Sequence, residues 1–351
     1  MRPEDKLLFA CTRQNFLYAH QKIVLDLCSK EKILWDVVYL TARQHGVAAL
    51  VYTNLLKCIP VNLGIPHDVI EKLKLCVATN IVRKDRRAEK IVEILSFFKK
   101  KSIDVMLIKG AALDILVYDQ PWYMISDDID LIVKLKREDL TAEDREALSA
   151  LQRHFTIECG YFEHHDVDMS GVLPINFQRI WANANKIEYR GYDVFVMSPE
   201  DMLMSVCINS CRKRFFRLKA LCDIAEIVNK YHDLKWAELV RNSREYHCNS
   251  IVYTALLVAK MALGCEVPEG VLDKLTDSTT RVIIIRYLAR HLSRKASLSS
   301  FPYCKRDEKD RMVTIINLAL ILPYATYRWY QLWRKMKHTW KTKRFKAFEF
   351  V

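Results

Sequence analysis

From about residue 5 to residue 98 apolar side chains recur at helical spacing, as in Ile33, Val37 and Leu40, then Val47, Leu50 and Leu55. Each helix would carry one apolar stripe, so this stretch predicts several packed helices. Two prolines and a glycine interrupt it between Ile59 and Pro66, after which Asp68 to Lys101 resumes as one long, charged amphipathic segment. Near residue 103 the period changes. Val105-Met106-Leu107-Ile108 reads as a buried strand that ends at Lys109-Gly110. A helix is predicted from Ala111 to Tyr118, closed by Asp119-Gln120-Pro121, and Ile125 to Lys134 reads as a second strand with Asp127, Asp128 and Asp130 near its start.

Residues 141 to 154 read as helix, and residues 155 to 197 as strands and irregular connections, with Tyr192 to Val196 the clearest strand. Ser198-Pro199-Glu200-Asp201 opens a further helix, with Ser198 as cap, Pro199 at the first helical position and Asp201 placed to reach back. Helical periodicity then continues to about residue 295. A polar linker, Arg294 to Arg311, precedes the mostly apolar Met312 to Trp333. A spanning helix needs about 20 apolar residues. Pro323 and Arg328 interrupt this one, so a packed or interfacial helix is expected rather than a span.

Composition narrows the picture. With 8 glycines and 9 prolines in 351 residues, turns are too sparse for a many-stranded sheet protein, and 51% hydrophobic content suits a large core. The formal net charge of +13 favours polyanionic partners: nucleotides, nucleic acid or an acidic lipid surface. Part of that excess sits in the tail between Arg334 and Lys346, so a basic active site need not be inferred from it. The opening Met-Arg-Pro-Glu-Asp-Lys lacks the apolar run of a secretory signal, and the cysteines include no CxxC, so reduced thiols in a cytoplasmic protein are expected. Cys207 and Cys211 stand four apart without a second pair, a weak zinc signal.

Chemistry enters at the acidic strand. Residues two apart on a strand share a face, so Asp128 and Asp130 point to one side, Asp127 and Ile129 to the other. Neighbouring carboxylates repel unless a cation neutralises them, and hard oxygen ligands select Mg²⁺ or Mn²⁺. Upstream, the free N–H groups of Ala111 and Ala112 at the Gly110 turn can meet phosphate oxygens, with Lys109 adding a fixed positive charge. Alone, each feature is most often a solvated turn or strand end. Arg212, Lys213, Arg214, Arg217 and Lys219 form a basic cluster ahead of Asp223, which reads either as a solvated face or as a phosphate contact.

The order Leu107-Ile108-Lys109-Gly110-Ala111-Ala112, helix, then Ser126-Asp127-Asp128-Ile129-Asp130-Leu131-Ile132-Val133 resembles the polymerase-beta-type nucleotidyltransferase signature. It is more closely similar to an uncharacterised nucleotidyltransferase family with a Lys-Gly-Ala-Ala turn and an Asp-Ile-Asp-Leu strand. Ile33 to Asp36, His45-Gly46-Val47, Met197 to Leu203 and Leu221 to Ala225 extend the likeness over about residues 5 to 275. It implies an α+β fold that is mostly helical: a small mixed nucleotidyltransferase sheet in residues 101–197, flanked by helical regions 1–100 and 198–295, with a linker, apolar helix and basic tail in 296–351.

The resemblance also implies transfer of a nucleoside monophosphate from an NTP, ATP first, to an unknown small-molecule or protein acceptor, with release of pyrophosphate. Asp128 and Asp130 would hold Mg²⁺ or Mn²⁺. A third carboxylate aligns best at Asp168, with Asp166 next, in the stretch after Gly160-Tyr161. Lys109, Gly110, Ala111, Lys213, Arg217 and Lys219 would contact the substrate. His164 and His165, adjacent and facing opposite ways on a strand, read as solvated or hydrogen-bonded histidines, with a role near the base as the alternative. The chain departs from the pattern twice: Ala111 stands where the general signature has serine, and Met124 where family members carry an arginine. The narrower family tolerates the alanine; Met124 and the choice between Asp168 and Asp166 keep a second reading open, a nucleotide-binding scaffold without turnover, held at a membrane through its tail in one version.

Overall fold

A computed structural model of the chain describes residues 1–58, 63–135, 139–151, 157–161, 173–212, 217–276 and 283. The N-terminal periodicity resolves into α1 (Pro3–Cys11), α2 (Tyr18–Lys30), α3 (Trp35–His45) and α4 (Ala48–Leu56), followed by the long α5 (His67–Lys100). Then come β1 (Val105–Leu107), α6 (Lys109–Leu116), a 3-10 turn (Pro121–Tyr123), β2 (Ile129–Val133), α7 (Ala142–Leu151) and β3 (Ile157–Tyr161). The chain continues through α8 (Phe177–Ala182) and the hairpin of β4 (Asn185–Tyr189) and β5 (Tyr192–Val196). It closes with α9 (Pro199–Arg212), α10 (Leu218–Lys230), α11 (Trp236–Glu245), α12 (Asn249–Leu263) and α13 (Val271–Lys274).

The architecture is α+β and mostly helical. The five strands form one mixed sheet in the order β3-β2-β1-β5-β4. β1 runs antiparallel to β2 and parallel to β5, and β2 runs parallel to β3. Side-chain alternation divides the central strands between two cores. Val105, Leu107, Ile129, Leu131, Val133, Val194 and Val196 pack beneath Ile91, Ile94, Leu95 and Phe98 of α5. Met106, Ile108 and Ile132 face the other way, into a larger core shared by the N-terminal helices and α9 to α12. α5 therefore covers one face of the sheet and carries its own polar stripe to the end of β1.

The carboxylate strand starts later than expected, at Ile129 rather than Ile125. Side chains of α5 and one backbone carbonyl claim the preceding residues before they can pair as a strand. Asn80 donates to the Trp122 carbonyl at 3.2 Å, Arg87 to the Ser126 carbonyl at 3.0 Å, and the Ile125 N–H bonds the Gly46 carbonyl at 3.3 Å. The α9 start follows the expected chemistry, with the Asp201 N–H donating to Ser198 Oγ at 3.2 Å. Among the described residues no helix is long and apolar enough to cross a membrane. The apolar segment 312–333 and the basic tail lie outside the described residues.

Candidate functional site

The site begins where β1 ends. The Ile108 N–H still pairs with the Asp130 carbonyl at 3.1 Å, so the backbone is registered against β2 to the last residue before the turn. Lys109 then enters α6 with φ of 50°, a left-handed conformation that costs a side-chain-bearing residue energy and clusters at functional sites. From there its ammonium reaches Asp130 Oδ1 at 3.0 Å, with both side chains about nine-tenths buried. Ile108, in the N-cap position of α6, offers the first-turn N–H groups no side-chain acceptor. Gly110 is buried beside Ser126, and Ala111 and Ala112 are buried behind it.

The three acidic residues part company. Asp130 lies within β2, on the side of the sheet opposite Ile129 and Leu131, and is buried. Asp128 is exposed, immediately before the strand. Asp127 is also exposed and takes Arg83 Nη1 on its two oxygens at 2.9 and 3.0 Å. Lys109 and Ala112 line a narrow crevice against Met202, Ser205 and Val206 of α9, which closes the turn on that side.

α5 brings residues that the sequence reading passed over. Arg87 Nη2 stands 3.1 Å from Asp114 Oδ2, and the Lys84 ammonium meets the same oxygen. Burial pulls the Lys84 amine down to about 8, against the opposing pull of Asp114. The signal was present in the spacing, because Asn80, Arg83, Lys84 and Arg87 fall at i, i+3, i+4 and i+7, one helical stripe. A charged amphipathic stretch gives no reason to expect Asn80, Lys84 and Arg87 to turn inward while Arg83 stays exposed.

On the opposite side, α10 supplies Lys219, whose ammonium pairs with Asp223 Oδ2 at 2.7 Å. Asp223 Oδ1 accepts the Tyr118 hydroxyl at 2.6 Å, and burial first, then that carboxylate, pushes the phenol well up. Asp223 therefore acts as a buried anchor. His45 Nδ1 accepts the Leu218 N–H at 3.0 Å, which fixes the start of α10. The next residue, Gly46, has φ of 75°, and a Cβ there would meet Ile125 Cγ2 at 2.6 Å and approach Arg217 Nη2 at 3.6 Å and Lys219 Cδ at 3.8 Å. His45-Gly46 thus joins the N-terminal helices to the carboxylate loop and to the basic start of α10.

Asp166, Asp168, His164, His165, Lys213 and Arg214 lie outside the described residues. Among the described residues no three His, Cys, Asp or Glu side chains converge to hold a metal ion. Asp128 offers an exposed carboxylate and Asp130 a buried one, hard oxygen donors of the kind Mg²⁺ takes, but Oδ1 of Asp130 is held by the Lys109 ammonium, which a metal ion there would have to share or displace.

A family model described as uncharacterised nucleotidyltransferase matches residues 31–264. A crystal structure of an antigenic nucleotidyltransferase-like protein from Paracoccidioides brasiliensis is similar at 16% identity and a TM-score of 0.32, covering 51% of this chain and 93% of that one. That likeness is too low to carry an argument. No curated protein matches the chain.

Proposed function

The chain belongs to the uncharacterised nucleotidyltransferase family, and from that premise we propose that it moves a nucleoside monophosphate from an NTP, ATP first, to an acceptor hydroxyl or phosphate, releasing pyrophosphate. The observation that supports this reading is the contact of Lys109 with Asp130 directly under the Gly110 turn. It places a buried carboxylate, its charge balanced by the Lys109 ammonium, beside a helix start whose N–H groups suit an anion.

In this reading Asp128 and Asp130 would hold Mg²⁺ or Mn²⁺, and Asp168, outside the described residues, would be the third carboxylate. The ion, when bound, would supply positive charge against the phosphates. The Gly110 and Ala111 N–H groups orient the phosphate chain, and Lys109 contributes a charge held in place by its own backbone. Arg217 and Lys219 flank the carboxylate loop near Gly46, the position from which they meet phosphate or an acidic acceptor. Lys109, Asp130 and Lys219 are carried on α6, β2 and α10, which positions them before substrate arrives.

The test is Asp128→Ala in the purified chain, incubated with each NTP, Mg²⁺ and lysate small molecules and proteins, with pyrophosphate and modified products read by mass spectrometry. Loss of product supports the assignment, and undiminished transfer refutes it. A second reading draws on Met124, which is 1% exposed and fills the core where family members carry an arginine. It is a nucleotide-binding scaffold without turnover, and calorimetric binding of NTP with Mg²⁺ but no pyrophosphate from any NTP would favour it. Recruitment to acidic membrane through residues 312–346 is a separable proposal: a chain ending near residue 300 should no longer co-sediment with acidic vesicles.

A further inference from the structure

Among the described residues Lys84 and Arg87 share one acidic partner. Both meet Asp114 Oδ2, and their side chains are 6% and 2% exposed. Two cations against one carboxylate leave a net positive charge out of water, a costly arrangement unless an anion comes to it. Bracing Asp114 needs only one of the two. At neutral pH the surplus is present, since Lys84, titrating at about 8, is still largely protonated. Lys219, the next cation in range of Lys84, is itself paired with Asp223 and brings no compensating negative charge.

The surplus lies beside the turn already described. Arg87 Nη1 donates to the Ser126 carbonyl at 3.0 Å and stands 3.9 Å from where a Cβ of Gly110 would be. Ser126 Oγ is 2.3 Å from that same point. A guanidinium, an ammonium behind it, a hydroxyl and the uncapped first turn of α6 therefore converge on one corner of the carboxylate loop.

We infer that Lys84 and Arg87 of α5, with the Ser126 hydroxyl, form an anion seat beside the Gly110 turn that takes the phosphate groups of the nucleotide. The identity of the anion rests on the nucleotidyl-transfer reading; the surplus charge does not.

The probe is inorganic tripolyphosphate, titrated calorimetrically without Mg²⁺ into the full chain, alongside Lys84→Met, Arg87→Lys, Ser126→Ala and, as a control, the exposed Lys74→Met. Charge-assisted bonds to phosphate lost in a buried site weaken binding by about tenfold or more. That loss is expected in Lys84→Met and Arg87→Lys, with a smaller one in Ser126→Ala and none in Lys74→Met. Thermal melts accompany each titration, because a merely bracing role would lower the melting temperature and leave the affinity of the folded chain unchanged. Should Arg87→Lys fail to fold, Lys84→Met and Ser126→Ala decide. Wild-type affinity in Lys84→Met and Arg87→Lys overturns the seat, as does a wild-type chain that binds no tripolyphosphate. Pyrophosphate release from NTP separates the two ideas: release with unaltered tripolyphosphate binding in the variants sinks the seat alone, and variant-sensitive binding without release sinks transfer alone.

Discussion

The Ser126 hydroxyl lies against the bare backbone of Gly110, so that a Cβ on Gly110 would stand 2.3 Å from Ser126 Oγ and 3.2 Å from Ser126 Cβ. Atoms do not approach that closely, so Gly110→Ala must turn the Ser126 hydroxyl away and push its Cβ back by a few tenths of an ångström, a disturbance next to Asp127 and Asp128. Misplacing a positioned group by about 1 Å costs on the order of a hundredfold in rate, so a loss of up to that size is expected in nucleotidyl transfer. Removing the obstacle should recover part of it. In a double-mutant cycle, Gly110→Ala with Ser126→Gly should be less impaired than the product of the two single losses. Strict additivity would show that the two residues do not press on each other.

Lys109 and Asp130 predict a stability ranking that is independent of activity. Both side chains are 9% exposed, so Asp130→Ala takes from the buried Lys109 ammonium the carboxylate it pairs with, and breaking a buried pair in this way costs about 3 kcal/mol. Asp128 is exposed, and its replacement by alanine should cost a small fraction of that. Urea unfolding of both variants in metal-free buffer checks the order. An Asp128→Ala chain that is the less stable of the two would remove the buried pair from the account of this site.

How far these relationships could be read from the chain differs by residue. The strand Tyr192–Val196 and the α9 start at Pro199 were legible because local chemistry sets them, alternation in one case and a serine cap with proline in the other. The start of β2 was not, because a side chain 44 residues away in sequence, Arg83, holds Asp127, and no local propensity encodes such a contact. The Lys-Gly turn and the acidic strand were visible as a motif. Lys84 and Arg87 were hidden for the opposite reason: charged residues on a helix are ordinarily solvated, and burial beside Asp114 is a tertiary outcome. His45 was visible only as part of a family likeness, whereas its physical task, accepting the Leu218 N–H, joins residues 173 apart.

That histidine supports a third prediction. The Leu218 N–H is buried and has His45 Nδ1 as its acceptor, so His45→Ala leaves a donor without that partner, at a cost of about 2 kcal/mol. His45→Asn, whose side-chain oxygen can accept, should recover part of the loss. The same bond fixes the start of α10, so His45→Ala should also weaken whatever Arg217 and Lys219 bind. Urea unfolding measures the first effect and tripolyphosphate titration the second. A His45→Ala chain as stable as wild type would mean that the α10 start is held by other contacts.

The last prediction concerns pH and α9. Ser198 Oγ donates to Asp201 Oδ2 at 3.0 Å, yet burial outweighs that bond and lifts the Asp201 carboxyl from 3.8 to about 6. The folded chain then holds this proton more tightly than the unfolded chain. Below about pH 4 both states are protonated and the favourable contribution is complete; between about 4 and 6 the unfolded chain releases its proton first, so stability falls as pH rises; above about 6 the contribution is gone. Other carboxylates slope the opposite way, which makes the difference between two curves the useful quantity. Asp201→Asn cannot titrate, so the unfolding free energy of wild type minus that of Asp201→Asn should decrease across this window and stay level outside it. A difference that rises between pH 4 and 6, or does not change, would mean that the folded protein carries Asp201 as an ordinary ionised carboxylate whose burial is offset by Ser198 and by the positive field of the α9 N-terminus.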